Sequence, residues 1–243
     1  MVDKLRMNAI SIIIPVHNGA KNLESCVERI ISHLKANRFA SYEIMIAEDG
    51  SCDGSGSLAR RMGRKLRHVK ALTSKNSLGK GLAISRAIGR CKHEIVGFLD
   101  VDAIETAGSI SSTAKLLARS EVVIGTRYSK GAKCSRPAYR HFLSLAYRQL
   151  VNVLFFEKFS DYQCGFKIFR KSAVVRLLPL IGSGGWFWDT ALLLQAKKKG
   201  LVIAECPVIW VELDGTVGKS AQQSIELLLE LARYWIGGVI SGY

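Results

Sequence analysis

Five short apolar runs, each followed by a polar cluster, constrain the chain more than any other feature. They are "SIIIP" (residues 11–15), "YEIMIA" (42–47), "VKALTS" (69–74), "EIVGFL" (94–99) and "VVIGT" (122–126). Runs of this length bounded by polar turn residues predict strands, and "SIIIP", closed by proline, predicts a buried one. Between them the apolar residues recur at helical spacing, as in Leu23, Val27, Ile30, Ile31 and Leu34. "LARRMGRKLR" (58–67) and "GKGLAISRAIGR" (79–90) predict two further helices. Strands alternating with helices predict an α/β fold with a mostly parallel central sheet flanked by helices. Such sheets bind ligands beyond the carboxyl ends of their strands.

The polar clusters fall at those ends. "HN" follows the first run, "EDGS" the second, "DVD" the fourth and "RY" the fifth, which gathers Asp49, Asp100, Asp102 and Arg127 on one edge. Asp100 and Asp102 are the most specific of these residues. Two neighbouring carboxylates repel unless a cation neutralises them. Residues i and i+2 of an extended chain point the same way, so both acids can face one Mg²⁺ or Mn²⁺, ions that favour oxygen ligands and phosphate.

With 243 residues, the chain suits one large domain, or one domain with an appendage. Its net charge of +15 and pI of about 9.7 suggest an anionic partner: nucleic acid, a membrane surface or a phosphorylated substrate. The basic runs "RRMGRKLR" and "QAKKKG" lack interleaved aromatics, which argues against nucleic acid. Six scattered cysteines without a CxxC pair suggest neither zinc nor a disulfide framework. The apolar run after Lys4 and Arg6 is short and lacks a small-residue cleavage site, so no signal peptide is expected. The second half holds two long apolar-aromatic stretches, residues 136–159 and 224–243, both broken by polar residues. They predict helices too polar to span a bilayer, suited either to lying in its surface or to packing as core.

Five ordered segments carry a family resemblance: "SIIIPVHNGAKNLESCV", "YEIMIAEDGSCDGS", "NSLGKGLAISRAIGRCKHEIVGFLDVDA", "VIGTRY" and "DYQCGFKIFRKSA". Together they resemble the inverting family 2 glycosyltransferases, which have the GT-A nucleotide-diphospho-sugar transferase fold. Within that family the chain is most similar to the polyprenyl-phosphate transferases, the dolichyl-phosphate glucose and mannose synthases. The resemblance spans roughly residues 9–220. It implies a GT-A domain over residues 1–220, including an amphipathic membrane-surface helix near 137–159, and a C-terminal amphipathic helix over 221–243.

The resemblance also implies roles for matching positions. Pro15, His17 and Asn18 would border the nucleotide base, and Asp49 would contact base or ribose. Glu48 stands where the family has a second Asp. Gly79 and Gly81 would let the backbone approach the sugar donor, and Lys80 would offset phosphate charge. Asp100 and Asp102 would hold Mg²⁺ or Mn²⁺ on the diphosphate, with Ile104 where mannose synthases have a Gln. Arg127, Arg136 and Arg140 would guide the acceptor phosphate, with Lys130 and Lys133 extending the basic loop. Asp161 and Gln163 would touch the donor sugar or shape the acceptor loop. Asp189 belongs to the same motif set, and Trp186 and Trp188 would either stack on sugar or lipid, or pack as core. Cys164 reads as a packed thiol.

The implied reaction moves a hexose from a UDP-glucose or GDP-mannose type donor to a polyprenyl or dolichyl phosphate, with inversion. The acceptor phosphate is already ionised, so no general base is required, and Arg127 acts electrostatically. The implied location is the cytoplasmic face of a membrane, as a monotopic or peripheral protein. The alternative is transfer to a saccharide hydroxyl, with Asp189 or Asp161 as base.

Overall fold

The computed structural model describes residues 9–182, 184–212 and 220–241. Lys4, Arg6 and the "DGTVGK" end of a family-like motif lie outside the described residues. In chain order the elements begin β1 (Ala9–Val16), α1 (Ala20–Ala36), β2 (Ser41–Asp49), α2 (Ser55–Lys65), β3 (Val69–Ser74), α3 (Lys80–Arg90) and β4 (Ile95–Leu99). A 3₁₀ turn (Ile104–Ser109), α4 (Ile110–Leu116), β5 (Val122–Thr126), β6 (Lys133–Ser135) and α5 (Ala138–Phe155) follow. The remainder comprises β7 (Phe166–Arg170), α6 (Lys171–Val175), α7 (Leu178–Ile181), α8 (Trp188–Lys198), β8 (Ile203–Pro207), β9 (Ile209–Val211) and α9 (Ser220–Ser241).

Seven strands form one sheet in the order β3-β2-β1-β4-β7-β5-β8. All pairings are parallel except those of β7, which runs antiparallel to β4 and β5. Successive strands run outward from β1 through β2 to β3, whereas β4 pairs on the other side of β1. The strand order therefore reverses between β1 and β4, which opens a crevice at their carboxyl ends.

β1 is buried from Ile10 to Val16 because helices cover both faces. Its alternation divides two cores: Ile10, Ile12 and Ile14 join Leu23, Val27 and Ile30 of α1, while Ile13 joins Ala83 and Ile84 of α3 with Phe98 and Trp188. α2 starts three residues before its predicted position, at Ser55. Asp53 accounts for the shift: its carboxylate accepts the Ser55 N–H (3.0 Å) and also the Ala20 N–H at the start of α1 (3.0 Å). α9 packs onto the second core through buried Leu231 and through Tyr234, whose ring meets Phe155 and Phe187.

The two ends of α3 give contrasting glycine predictions. A Cβ on Gly81 would lie 2.5 Å from the Trp188 Cβ, whereas one on Gly89 would meet nothing within 4 Å. Gly81→Ala should lower stability by about 1–3 kcal/mol through overpacking. Gly89→Ala should raise it by about 0.5–1 kcal/mol through helix propensity. Urea unfolding midpoints of the two variants check both signs.

Candidate active site

The loops after β1 and β2 are latched together at the crevice. Asn18 adopts a left-handed φ of 54°. Its backbone N–H donates to Ser51 Oγ (2.9 Å), and its Oδ1 accepts the Cys52 N–H (2.9 Å). His17 Nδ1 lies 2.7 Å from the Asp49 carbonyl, which only accepts, so Nδ1 carries the proton. The side chains of His17 and Asn18 face solvent at the crevice rim.

Asp49 and Pro15 lie deeper than the sequence suggests. Asp49 is buried, and its carboxylate accepts from the N–H groups of Leu78 (2.7 Å) and Gly79 (2.9 Å) and from Ser77 Oγ (2.9 Å). It shapes the loop that launches α3. Pro15 is buried in β1 opposite Ala47.

Four charged groups form a ladder beneath the carboxyl end of β4. Lys167 of β7 is fully buried, and its Nζ donates to Asp189 Oδ1 (2.5 Å) and to the carbonyls of Tyr162 (3.1 Å) and Cys164 (3.0 Å). Asp189 Oδ2 pairs with Lys80 Nζ at 3.2 Å. Lys80 Nζ also meets both Asp100 oxygens, at 2.9 and 3.1 Å. Burial opposes ionisation of Asp189, but the two ammonium groups outweigh it and hold the carboxyl below its usual range. Asp100 goes the other way: burial, helped by the charges of Asp102 and Asp189 against Lys80, pushes it up to about 6.

Asp102 is half-buried, and its carboxylate makes no hydrogen bond or ion pair among the described residues. A free carboxylate beside one that is reluctant to ionise is an arrangement that a divalent cation relieves. Asp100 and Asp102 therefore fit such an ion, and no cluster of three or more His, Cys, Asp or Glu ligands accompanies them among the described residues. Ile104 packs against the first core and supplies no oxygen.

Beside the ladder, a cavity of about 340 Å³ opens between α5 and α9. Arg127, Arg136 and Arg140 line it together with Leu143, Leu150 and Leu227, and Trp186 forms part of its wall. The Trp186 ring also lies 5.3 Å from Lys80 Nζ, so it separates cavity from ladder. Arg127 is clamped: Nε and Nη2 donate to the two Asp161 oxygens at 2.7 and 2.9 Å. Arg136 Nη1 donates to Tyr128 Oη (3.1 Å) and Ser144 Oγ (3.0 Å). Burial and the neighbouring Arg127 guanidinium depress the Arg136 pKa. Glu212 pairs with Arg136 (3.4 Å) and contacts Arg140 closely. Glu212 thus bridges two guanidinium groups of the cavity lining. Lys130 and Lys133 are solvent-exposed and do not line this cavity.

Residues 11–178 match the glycosyl transferase family 2 profile. The chain belongs to that family. It is 28% identical over 232 residues to "Glycosyltransferase AglD" of Haloferax volcanii, spanning 93% of this chain but only 37% of that relative. It is 26% identical to "Dolichyl-phosphate beta-glucosyltransferase" of Saccharomyces cerevisiae, over 91% of this chain and 72% of the other. The human protein of the same name is 27% identical, over 85% and 68%. Among solved structures, glucosyl-3-phosphoglycerate synthase from Mycobacterium tuberculosis, in complex with Mn²⁺, UDP and glucosyl-3-phosphoglycerate, aligns with a TM-score of 0.71 at 16% identity. That alignment covers 95% of this chain and 82% of that one, and it supports the GT-A fold.

Within this family 2 frame, the remaining motif residues divide among core, loop and cavity, with Trp188 taking the core alternative and Cys164 packed as expected. Trp188 is core: it is 1% exposed, its indole N–H donates to Ser85 Oγ (2.9 Å), and its ring meets Phe98 edge-on. Gly81 serves the approach of α3 to Trp188, and Gly79, at φ 95°, serves a close pass of the Gly184 carbonyl. Cys164 is a packed thiol, pushed up to about 12 mainly by burial. Gln163 lines the cavity and donates to Thr190 Oγ1 (2.8 Å). Lys167 and Glu212 were not anticipated. A lysine within the apolar "FKIF" is the signal that marks the first; Glu212 carries no comparable mark.

Gly165 has no room for a side chain, because a Cβ would overlap the Asp100 carboxylate. Gly165→Ala should displace that carboxylate and lower glycosyl transfer by about 100-fold. Near-UV circular dichroism and steady-state rates on the same sample check that the loss is local.

Proposed function

We propose that this protein transfers glucose from UDP-glucose to a polyprenyl phosphate of the dolichyl class at a membrane surface, inverting the anomeric carbon. The observation that carries the proposal is the cavity, whose lining combines three arginines with several leucines and whose Trp186 ring lies 5.3 Å from the Lys80 ammonium that pairs with Asp100. A lipid phosphate combines the same two characters, anionic and apolar. The names of the yeast and human relatives support the acceptor. UDP-glucose and Mn²⁺, present with the mycobacterial synthase, support the donor and a divalent cation.

His17 and Asn18 would border the nucleotide, as the exposed residues of the latched loops. Asp100 and Asp102 would hold Mn²⁺ or Mg²⁺, and such an ion supplies positive charge to a departing diphosphate. Arg136 and Arg140 would receive the acceptor phosphate, with Arg127 held behind them by Asp161. A phosphate oxygen forms the new bond to the anomeric carbon as the bond to the nucleoside diphosphate breaks. With a second pKa of about 6, a phosphate monoester is largely dianionic at neutral pH, so no proton must be removed. The hydroxyl-acceptor alternative needs a carboxylate base, but Asp161 and Asp189 are both buried in ion pairs. Asp189, held below the usual carboxylate range, is a poor base.

No helix among the described residues is long and apolar enough to cross a membrane. α5, the residue after it and α9 instead expose large apolar side chains, including Phe142 (70%), Phe156 (91%) and Ile225 (60%). We assign them to the bilayer surface, on its cytoplasmic side. Phe142→Glu with Phe156→Glu should reduce co-sedimentation with phosphatidylcholine–phosphatidylserine vesicles at unchanged thermal stability. Equal sedimentation of variant and wild type would exclude this face.

The activity test is incubation with dolichyl phosphate, a panel of UDP- and GDP-sugars, and Mn²⁺ or a chelator. Radiolabelled glucosyl lipid should form from UDP-glucose and disappear on chelation or with Asp102→Asn. Arg136→Ala should raise KM for the acceptor by about tenfold or more, as expected for a lost charge-assisted contact. Absence of glycolipid from every donor, with folded protein, would overturn the proposal.

A further inference from the structure

Lys80 occupies the carboxylate that would hold the cation. Its Nζ lies within 3.1 Å of both Asp100 oxygens and 3.2 Å from Asp189. The rings of Phe98 and Trp186 sit 5.4 and 5.3 Å away, and the side chain is only 11% exposed. Burial works against its charge, but Asp100 and Asp189 outweigh it and raise its pKa. The ammonium is therefore a built part of the site, held from four sides.

We propose that Lys80 is a resident counter-ion of Asp100, which excludes a bare divalent cation and admits one only together with a nucleotide diphosphate. This rests on the reading that Asp100 and Asp102 hold the cation. The charge balance carries it. Lys80 and Lys167 face Asp100, Asp102 and Asp189, so the cluster bears one net negative charge. A divalent ion alone would reverse that charge within a buried site, against the repulsion of the Lys80 ammonium. A cation that arrives with a sugar-nucleotide diphosphate adds almost no net charge, because the two diphosphate charges cancel it. Only the Asp102 carboxylate is uncommitted, and one carboxylate without phosphate oxygens is a weak site.

The test needs no turnover. Free Mn²⁺ is counted by electron paramagnetic resonance in titrations of the full chain, with and without saturating UDP. Lys80→Met keeps an apolar stem between Phe98 and Trp186 but removes the charge. Its nucleotide-free Kd for Mn²⁺ should fall by about tenfold or more, and the gain from UDP should shrink. Lys80→Arg should behave like wild type. A folded Lys80→Met with wild-type or weaker Mn²⁺ affinity overturns the proposal.

Wild-type protein provides a second measurement that does not depend on the variant folding. The Lys80 ¹⁵Nζ resonance should move on addition of Mg²⁺ with UDP and stay fixed with millimolar Mg²⁺ alone. Movement with Mg²⁺ alone overturns the proposal. Asp102→Asn separates the underlying reading: if it binds Mn²⁺ with UDP as tightly as wild type, the cation site itself is misplaced.

Discussion

The buried ladder Lys167–Asp189–Lys80–Asp100 fixes how the two halves of the molecule meet. Each rung comes from a different element: β7, the start of α8, the start of α3 and the loop after β4. Burying four charges is costly, and pairing offsets that cost only when each charge keeps its partners. Lys167 satisfies this by also binding two carbonyls of the loop before β7. Loss of Asp189 would remove the carboxylate partner of Lys167 and leave Lys80 with Asp100, and breaking a buried pair typically costs about 3–5 kcal/mol. The ladder thus orders the loop of residues 161–165 against the DVD turn, where Asp100 N–H donates to the Gly165 carbonyl (2.8 Å). Stability and site geometry depend on the same side chains.

A second buried pair has a similar role on the cavity side. Arg127 and Asp161 join the end of β5 to the loop before β7 through two parallel hydrogen bonds. Arg127 Cζ also lies 5.2 Å from the Trp210 ring centre. The guanidinium reaches the cavity as a fixed charge, held through Nε and Nη2. Arg136 and Arg140 have a different balance, since they share Glu212. Glu212, just after β9, thereby ties the start of α5 to that strand, as Asp161 ties β5 to the loop before β7.

The parts legible in the sequence were those with local periodicity. β1 to β5 are near-continuous apolar runs, and the α1 stripe is buried as its spacing requires. The "DVD" pair was legible because it interrupts such a run with charge at a strand end. β7 was read as a motif and not as a strand, since Lys167 breaks its apolar pattern and its antiparallel course departs from the parallel alternation. The partners of that lysine lie up to 22 residues away, and the Arg140–Glu212 pair spans 72. Contacts at such separations leave no trace in spacing. The glycines of "GKG" illustrate the complementary difficulty: a small residue marks a close approach without naming what approaches, and here it is Trp188 and the Gly184 carbonyl.

The placement of acids bears directly on the class of acceptor. A transferase acting on a hydroxyl must take a proton from it, which requires a carboxylate near the acceptor with a pKa suited to the task. The cavity contains Asp161, but both of its oxygens accept hydrogen bonds from Arg127 and it cannot leave without stranding that guanidinium. Asp189 lies behind Lys80 and Lys167. Glu212 faces two guanidinium groups that would draw it away from any hydroxyl. Asp161, Asp189 and Glu212 are therefore each engaged by a cationic side chain. An acceptor that arrives ionised needs none of them, and its charge suits a lining that holds Arg127, Arg136 and Arg140.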